Sequence, residues 1–175
     1  IWPATQLVID RAIEKARERG LNVVEGSATS LPFEDASFDA VCSFKVLAHV
    51  EEIEQALGEV SRVLRPGGRA VLEFYNRRSL RYLVKQLKRP DAISEQSTDD
   101  DVFTRYDALE DVKRYLPSGL SLDEIRGVRV FTPFAQVHGW PGIGSAFRWI
   151  ERVARDHRFT RGYGGFLVVI LTRTD

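Results

Sequence analysis

Methionine is absent from this 175-residue chain, and cysteine occurs once, at position 42. A lone thiol cannot build an intrachain disulfide framework, so stability must come from packing and hydrogen bonding, and this cysteine usage is that of a cytoplasmic protein. Because Cys42 lies between Val41 and Ser43 in an apolar run, a buried free thiol is expected. Net charge is lacking as well: 25 basic residues balance 25 acidic ones. Without a global field there is no pull toward nucleic acid or an acidic membrane, and the expected partner is a small molecule, roughly neutral. No apolar run approaches the roughly 20 residues needed to cross a bilayer, and no charged-then-apolar leader opens the chain. A soluble protein without stable membrane insertion is expected, and no metal is called for.

What is present is enough apolar material, 43 % of residues, to bury one real core. Ile9, Ala12, Ile13 and Ala16 recur at i, i+3, i+4, i+7, the stripe of an amphipathic helix, and Gly20 is placed to end it. Val23 and Val24 within 21–25 predict a short strand stopped by Gly26. A polar loop over 27–37 precedes the apolar run 38–44, which predicts a parallel strand covered on both faces. From 51 to 64, Ile53, Ala56, Leu57, Val60, Val63 and Leu64 share one helical face, with acidic residues near its start. Pro66, Gly67 and Gly68 are expected to stop that helix before a strand over 69–74. Strand and helix thus alternate, which argues for a doubly wound sheet.

Beyond Asn76 the pattern changes. Leu80, Leu83, Val84 and Leu87 predict an amphipathic helix over 79–88 with a basic opposite face, and 91–101 reads as a mobile polar loop. Further helices are expected at 107–116 and 143–156, a strand at 128–131, and a final strand at 166–171. The basic face has two readings, a solvated surface or a membrane or nucleic-acid contact.

The segments VVEGSATSLPF, SFDAVCSFKVLAHV, RVLRPGG and RAVLEF, in that order over 23–74, resemble class I S-adenosylmethionine-dependent methyltransferases of the small-molecule kind, among them the ubiquinone-biosynthesis enzymes. The resemblance implies a Rossmann-like α/β fold, doubly wound, its sheet mostly parallel with an antiparallel last strand. It implies one domain over 1–175, with substrate-side inserts at 76–125 and 132–164, and S-adenosylmethionine as cofactor. Because the chain opens at Ile1 and has no methionine, it is read as incomplete at its N-terminal side, where the family's glycine-rich loop is expected.

Ligands of open α/β sheets sit at the carboxyl ends of strands. There the resemblance implies cofactor contacts from Gly26, Ser27 and Ala28, with Ser27 standing where the family commonly has Asp. A serine hydroxyl supplies a neutral bond worth about 1 kcal/mol rather than a charge-assisted one; alternatively it only closes a turn. Phe44 and Lys45 are expected against the cofactor, Phe44 having a core role as its alternative. Asp10 is a candidate for the ribose hydroxyls if QLVID is a strand end, or a helix-surface acid if the stripe above holds. His49 is a candidate proton acceptor or, alternatively, a residue that caps the helix beginning near Glu51 or hydrogen-bonds a loop. Tyr75, Asn76 and Tyr106 are expected on the substrate side, with His138 and Trp140 as further possibilities. The implied activity is methyl transfer to oxygen, nitrogen or carbon of a small molecule. A catalytically silent binding or regulatory subunit is the alternative, and a nicotinamide-dependent oxidoreductase shares only the sheet.

Overall fold

The computed structural model describes residues 3–87, 92–94, 97–98, 103–130, 149–150, 152–154, 157 and 159–175. The first element, α1 (Pro3–Glu18), is the expected helix. Gly20 ends it at φ +75°, donating to the Arg17 carbonyl at 2.8 Å while Leu21 reaches back to Ala16 at 3.1 Å. This left-handed closure suits glycine, which has no Cβ to clash.

Residues 21–26 then run without secondary structure. The strand expected at 21–25 does not form, and Leu21 and Val24 are 58 % and 53 % exposed. β-branched residues favour strands by packing on a pleated neighbour; no strand of the described residues lies beside these.

The main sheet has four strands, β1 (Phe38–Ser43), β2 (Leu64–Tyr75), β5 (Leu120–Val128) and β6 (Phe166–Arg173), in the order β1-β2-β6-β5. β1 and β2 are parallel, and β6 is antiparallel to both β2 and β5. Three strands therefore point one way and the last is inserted against them. This is the expected mixed direction, although only one of the neighbouring pairs is itself parallel. The strand expected at 128–131 lies earlier, and residues 120–125, expected within an insert, form the first part of β5.

Helix α2 (Ile53–Val63) buries Ile53, Ala56, Leu57, Val60 and Val63, the predicted stripe. Together with Val112 of α4 (Leu109–Tyr115) these side chains cover one sheet face, built of Ala70, Leu72 and Phe74 of β2, Leu167, Val169 and Leu171 of β6, and Ile125 of β5. Burying such side chains on one face is the main favourable term in folding, and truncating Leu57, which is wholly buried, to alanine costs about 2–5 kcal/mol.

Two expectations about β1 are corrected. It is the outer strand of the described sheet, and Val41 is its residue packed against the core. Consequently Asp39, Ala40 and Cys42 are exposed, and Cys42 is not a buried thiol. The Pro-Gly-Gly run also differs, because β2 begins at Leu64 and carries the run inside the strand. Phe38 pairs with Leu64 but Ala40 pairs with Arg69, so β2 bulges outward. Gly67 takes φ +77°, and a Cβ on Gly68 would lie 2.8 Å from the Arg65 carbonyl oxygen. A bulge is where proline is tolerated in a strand.

Helix α3 (Leu80–Leu87) appears where expected. Within the loop predicted to be mobile, β3 (Ala92–Ser94) and β4 (Ser97–Thr98) pair antiparallel. Of the helix expected at 143–156, residues 149–150 and 152–154 are helical. His138, Trp140 and Asp99 to Asp101 lie outside the described residues. Among the described residues no helix is long and apolar enough to cross a membrane.

Candidate functional site

The strand directions place Ser43, Tyr75, Val128 and the start of β6 at Phe166 along one edge of the sheet. The segment after β1 turns sharply there. Lys45 adopts φ +59°, a left-handed conformation that costs a non-glycine residue about 1–2 kcal/mol. Phe44 is 53 % exposed, which excludes its core alternative. A short 3₁₀ turn, Leu47–His49, follows and leads into α2.

His49 is exposed, and its Nδ1 donates to the Phe103 carbonyl at 2.8 Å, which leaves Nε2 as an acceptor. Its ring meets Tyr75 edge-on at 6.0 Å. Tyr75 in turn contacts Tyr106 at 5.7 Å and Phe166 at 5.2 Å, and Tyr82 of α3 stacks obliquely on Tyr106 at 4.7 Å. Three predicted site residues, His49, Tyr75 and Tyr106, are thus gathered in one aromatic cluster at the strand ends.

That cluster is held by residues the sequence did not single out. Arg105 donates through Nε to both carboxylate oxygens of Asp107, at 2.9 and 3.0 Å, and through its other nitrogens to the carbonyls of Val50 and Leu47. Its own backbone amide reaches Ala48 at 2.7 Å. Asp107 is 1 % exposed, and its amide donates to the Tyr75 carbonyl at 2.8 Å. Burial raises the Asp107 pKa, and the Arg105 guanidinium works against that rise.

Asn76 was expected to face substrate. Instead it is 1 % exposed, with Nδ2 donating to the carbonyls of Gly162 and Gly164 at 2.8 and 2.7 Å and Oδ1 accepting from the Arg78 amide at 2.9 Å. Its amide group is wholly committed to backbone, so it clamps the 162–164 loop rather than lining a site. A polar residue directly after a buried strand gave no signal separating the two roles.

The Gly26 to Ala28 turn is pinned elsewhere on α2. Ser27 accepts from the Thr29 amide at 3.2 Å and shares a hydrogen bond with the Thr29 hydroxyl at 2.8 Å, which ties it into a local turn. Ala28 packs on the core. Gly26 is required by proximity, since a Cβ there would lie 2.7 Å from Pro32 Cδ. Gln55 in the first turn of α2 donates to the Thr29 carbonyl at 3.0 Å. The turn therefore sits beside the same end of α2 to which Leu47–His49 leads. Farther along α2, Arg62 binds the Leu31 and Phe33 carbonyls and the Asp35 and Glu59 carboxylates, fixing the rest of the loop.

Asp10 does not end a strand. It lies in α1, exposed, where with Ile13, Glu14, Arg17, Glu18 and Glu25 it lines a groove of about 540 Å³. Glu25 directly precedes Gly26, so this groove borders the turn.

One buried acid at the strand ends was also missed. Glu73 of β2 is 8 % exposed, and its Oε1 has no hydrogen-bond partner. Burial raises its pKa, while the Lys45 backbone amide and the charges of Lys45 and Arg129 pull the other way. It escaped notice because it sits inside a strand, at an alternate position between Leu72 and Phe74.

Residues 4–72 match a family model described as "Methyltransferase domain". A ubiquinone/menaquinone biosynthesis C-methyltransferase UbiE of Brucella anthropi is 52 % identical over 66 residues, covering 37 % of this chain and 25 % of the relative. A demethylmenaquinone methyltransferase of Thermus thermophilus is 50 % identical over 66 residues, 36 % of this chain and 30 % of the relative. The chain thus spans between a quarter and a third of the length of these curated relatives. Among solved structures, an S-adenosylmethionine-dependent methyltransferase of Thermotoga maritima, described as a possible histamine N-methyltransferase, superposes with a TM-score of 0.63 at 23 % identity, over 94 % of this chain and 70 % of that one. A [4+2]-cyclase, SpnF, gives 0.55 at 21 % identity, over 92 % and 61 %, so the architecture alone does not fix a reaction. Residues 4–72 thus match a methyltransferase-domain model and are similar to methyltransferases of ubiquinone and menaquinone biosynthesis, and the chain shares its Rossmann-like fold with solved S-adenosylmethionine-dependent methyltransferases.

Proposed function

We propose that the protein transfers the methyl group of S-adenosylmethionine to an oxygen, nitrogen or carbon of a ring-bearing small molecule. The observation that carries this reading is the meeting of His49, Tyr75 and Tyr106 at the carboxyl edge of the sheet, next to the exposed Phe44 and Lys45 turn, in a chain whose 4–72 segment matches the methyltransferase domain. Tyr82 and Tyr106, both within the insert expected at 76–125, would supply the substrate side.

The residues present fit the cofactor on one structural ground. Glu73 keeps a buried oxygen without a partner beside the Lys45 turn, an acceptor suited to a ligand that brings N–H or O–H groups. Gly26, Ser27 and Ala28 would hold the nucleoside side, and Phe44 and Lys45 the methionine side. When bound, the sulfonium supplies an already activated methyl electrophile. The protein's task is then alignment of the acceptor, worth several orders of magnitude in rate. Tyr75 and Tyr106 would orient the acceptor ring, and His49 Nε2 would take its proton.

The curated relatives' names extend this to carbon methylation of a quinone-type ring. A catalytically silent subunit is not favoured. Isothermal titration of the purified protein with S-adenosylhomocysteine tests the reading: saturable heat and a raised unfolding temperature are expected, and absence of both removes it.

A further inference from the structure

Net charge predicted a roughly neutral partner, but local charge at the site is not neutral. On α3, Arg81 and Lys85 are one turn apart and share a face. Arg81 Cζ lies 5.4 Å from the centroid of Phe166, and Lys85 Nζ lies 5.7 Å from that of Tyr106. The basic face of this helix is therefore laid over the aromatic cluster rather than simply solvated.

A second guanidinium reaches the same ring from β5. Arg129, directly after that strand, takes φ +56°, and its carbonyl accepts from the Gly165 amide at 3.0 Å. Its Cζ lies 5.8 Å from the Phe166 centroid. Arg81 and Arg129 are both half-buried, and among the described residues neither guanidinium makes an ion pair or a hydrogen bond. Packing alone explains one arginine over a buried phenylalanine. It does not explain two like charges gathered on one ring, an arrangement that repels itself. The acid that acts on Arg129 is Glu73, whose charged form burial disfavours. Guanidinium forks are matched to carboxylate and phosphate oxygens.

We infer that the methyl acceptor carries an anionic group, carboxylate or phosphate, held by Arg81 and Arg129 while its aromatic ring lies against Tyr75 and Tyr106. The inference rests on the methyltransferase reading for the word acceptor, and on the arginine pair for the anion.

The test is titration of the purified protein with benzoate, phenyl phosphate, neutral benzamide and inorganic phosphate. Benzoate or phenyl phosphate binds at least about tenfold more tightly than benzamide, as loss of a charge-assisted contact dictates. Arg81→Gln and Arg129→Gln each erase that preference, Arg81→Lys retains part of it, and Arg19→Gln, on the turn after α1, keeps it whole. Equal binding of benzamide and benzoate overturns the inference, as does an unchanged preference in both glutamine variants. Phosphate binding as tightly as phenyl phosphate removes the aromatic half of it. S-adenosylhomocysteine titrated in parallel separates the two readings: if it fails to bind while the anion preference holds, the methyltransferase reading falls and the arginine site stands.

Discussion

Arg105 and Asp107 form an ion pair across a single intervening residue, Nε lying 2.9 Å from Oδ1, with side chains 15 % and 2 % exposed, and the residue between them is Tyr106. The pair fixes the aromatic ring by fixing both of its neighbours. The remaining Arg105 donors reach the carbonyls of Val50 and Leu47, so the same guanidinium also anchors the turn that carries His49. Two elements far apart in the chain are thereby locked at the end of β2.

Breaking a buried pair by removing one partner leaves the other charge uncompensated, which costs about 3–5 kcal/mol. Arg105→Ala should lose that much in urea unfolding. Asp107→Asn, which keeps the shape and an acceptor, should lose less. A loss below about 1 kcal/mol in Arg105→Ala would mean that the pair does not hold the site.

The Asn76 clamp makes a different demand. Asn76→Ala leaves the Gly162 and Gly164 carbonyls without a donor, costing about 1–3 kcal/mol. Asn76→Asp should be worse than alanine at neutral pH, since a carboxylate would face two carbonyl oxygens, and lowering the pH should narrow the gap as the acid protonates. If aspartate proves the milder change, the amide orientation assigned to Asn76 is wrong.

Glu73 sets a pH dependence with a definite sign. Its folded pKa lies above the ordinary 4.5 because burial penalises the charge. The folded state therefore holds a proton that the unfolded chain has already released, so its contribution to stability falls as pH rises from the ordinary value through the raised one. Glu73→Gln removes this loss. Unfolding free energies measured from pH 4 upward should show the variant gaining on the wild type as pH rises through the raised value. Asp107 shifts in the same direction but is common to both proteins, so the difference isolates Glu73. A difference that is flat with pH, or that shrinks, contradicts the assignment.

Much of the architecture is legible in the sequence because periodicity reports burial. The stripe from Ile53 to Val63 and the run from Phe166 to Leu171 become an α2 and a β6 packed as their patterns demand. The failures share a cause. Val23 and Val24 have strand propensity but no neighbouring strand among the described residues, and Cys42 lies in an apolar run whose outer face is left open. Propensity states what a segment prefers, whereas burial depends on what packs against it. Within the site, His49, Tyr75 and Tyr106 were readable as residues flanking strands and loops. Arg81, Arg105, Asp107 and Arg129 were not, since one charge among 50 is informative only when its partner, or the lack of one, is known.

The turn after β1 allows stability and binding to be separated. Lys45 is strained at φ +59°, so Lys45→Gly should leave stability unchanged or raise it by up to about 1 kcal/mol, glycine meeting no Cβ penalty there. Phe44 is 53 % exposed, so Phe44→Ala should also cost little, within about 0.5 kcal/mol as for exposed positions generally. If these two residues flank the methionine side of the cofactor, both variants should nonetheless bind S-adenosylhomocysteine about tenfold or more weakly. Strain retained at no structural benefit is what a binding turn would show. Should Lys45→Gly destabilise the fold, or should both variants bind like the wild type, the turn serves the chain's own packing and the cofactor contacts must be sought nearer the groove between Asp10 and Glu25.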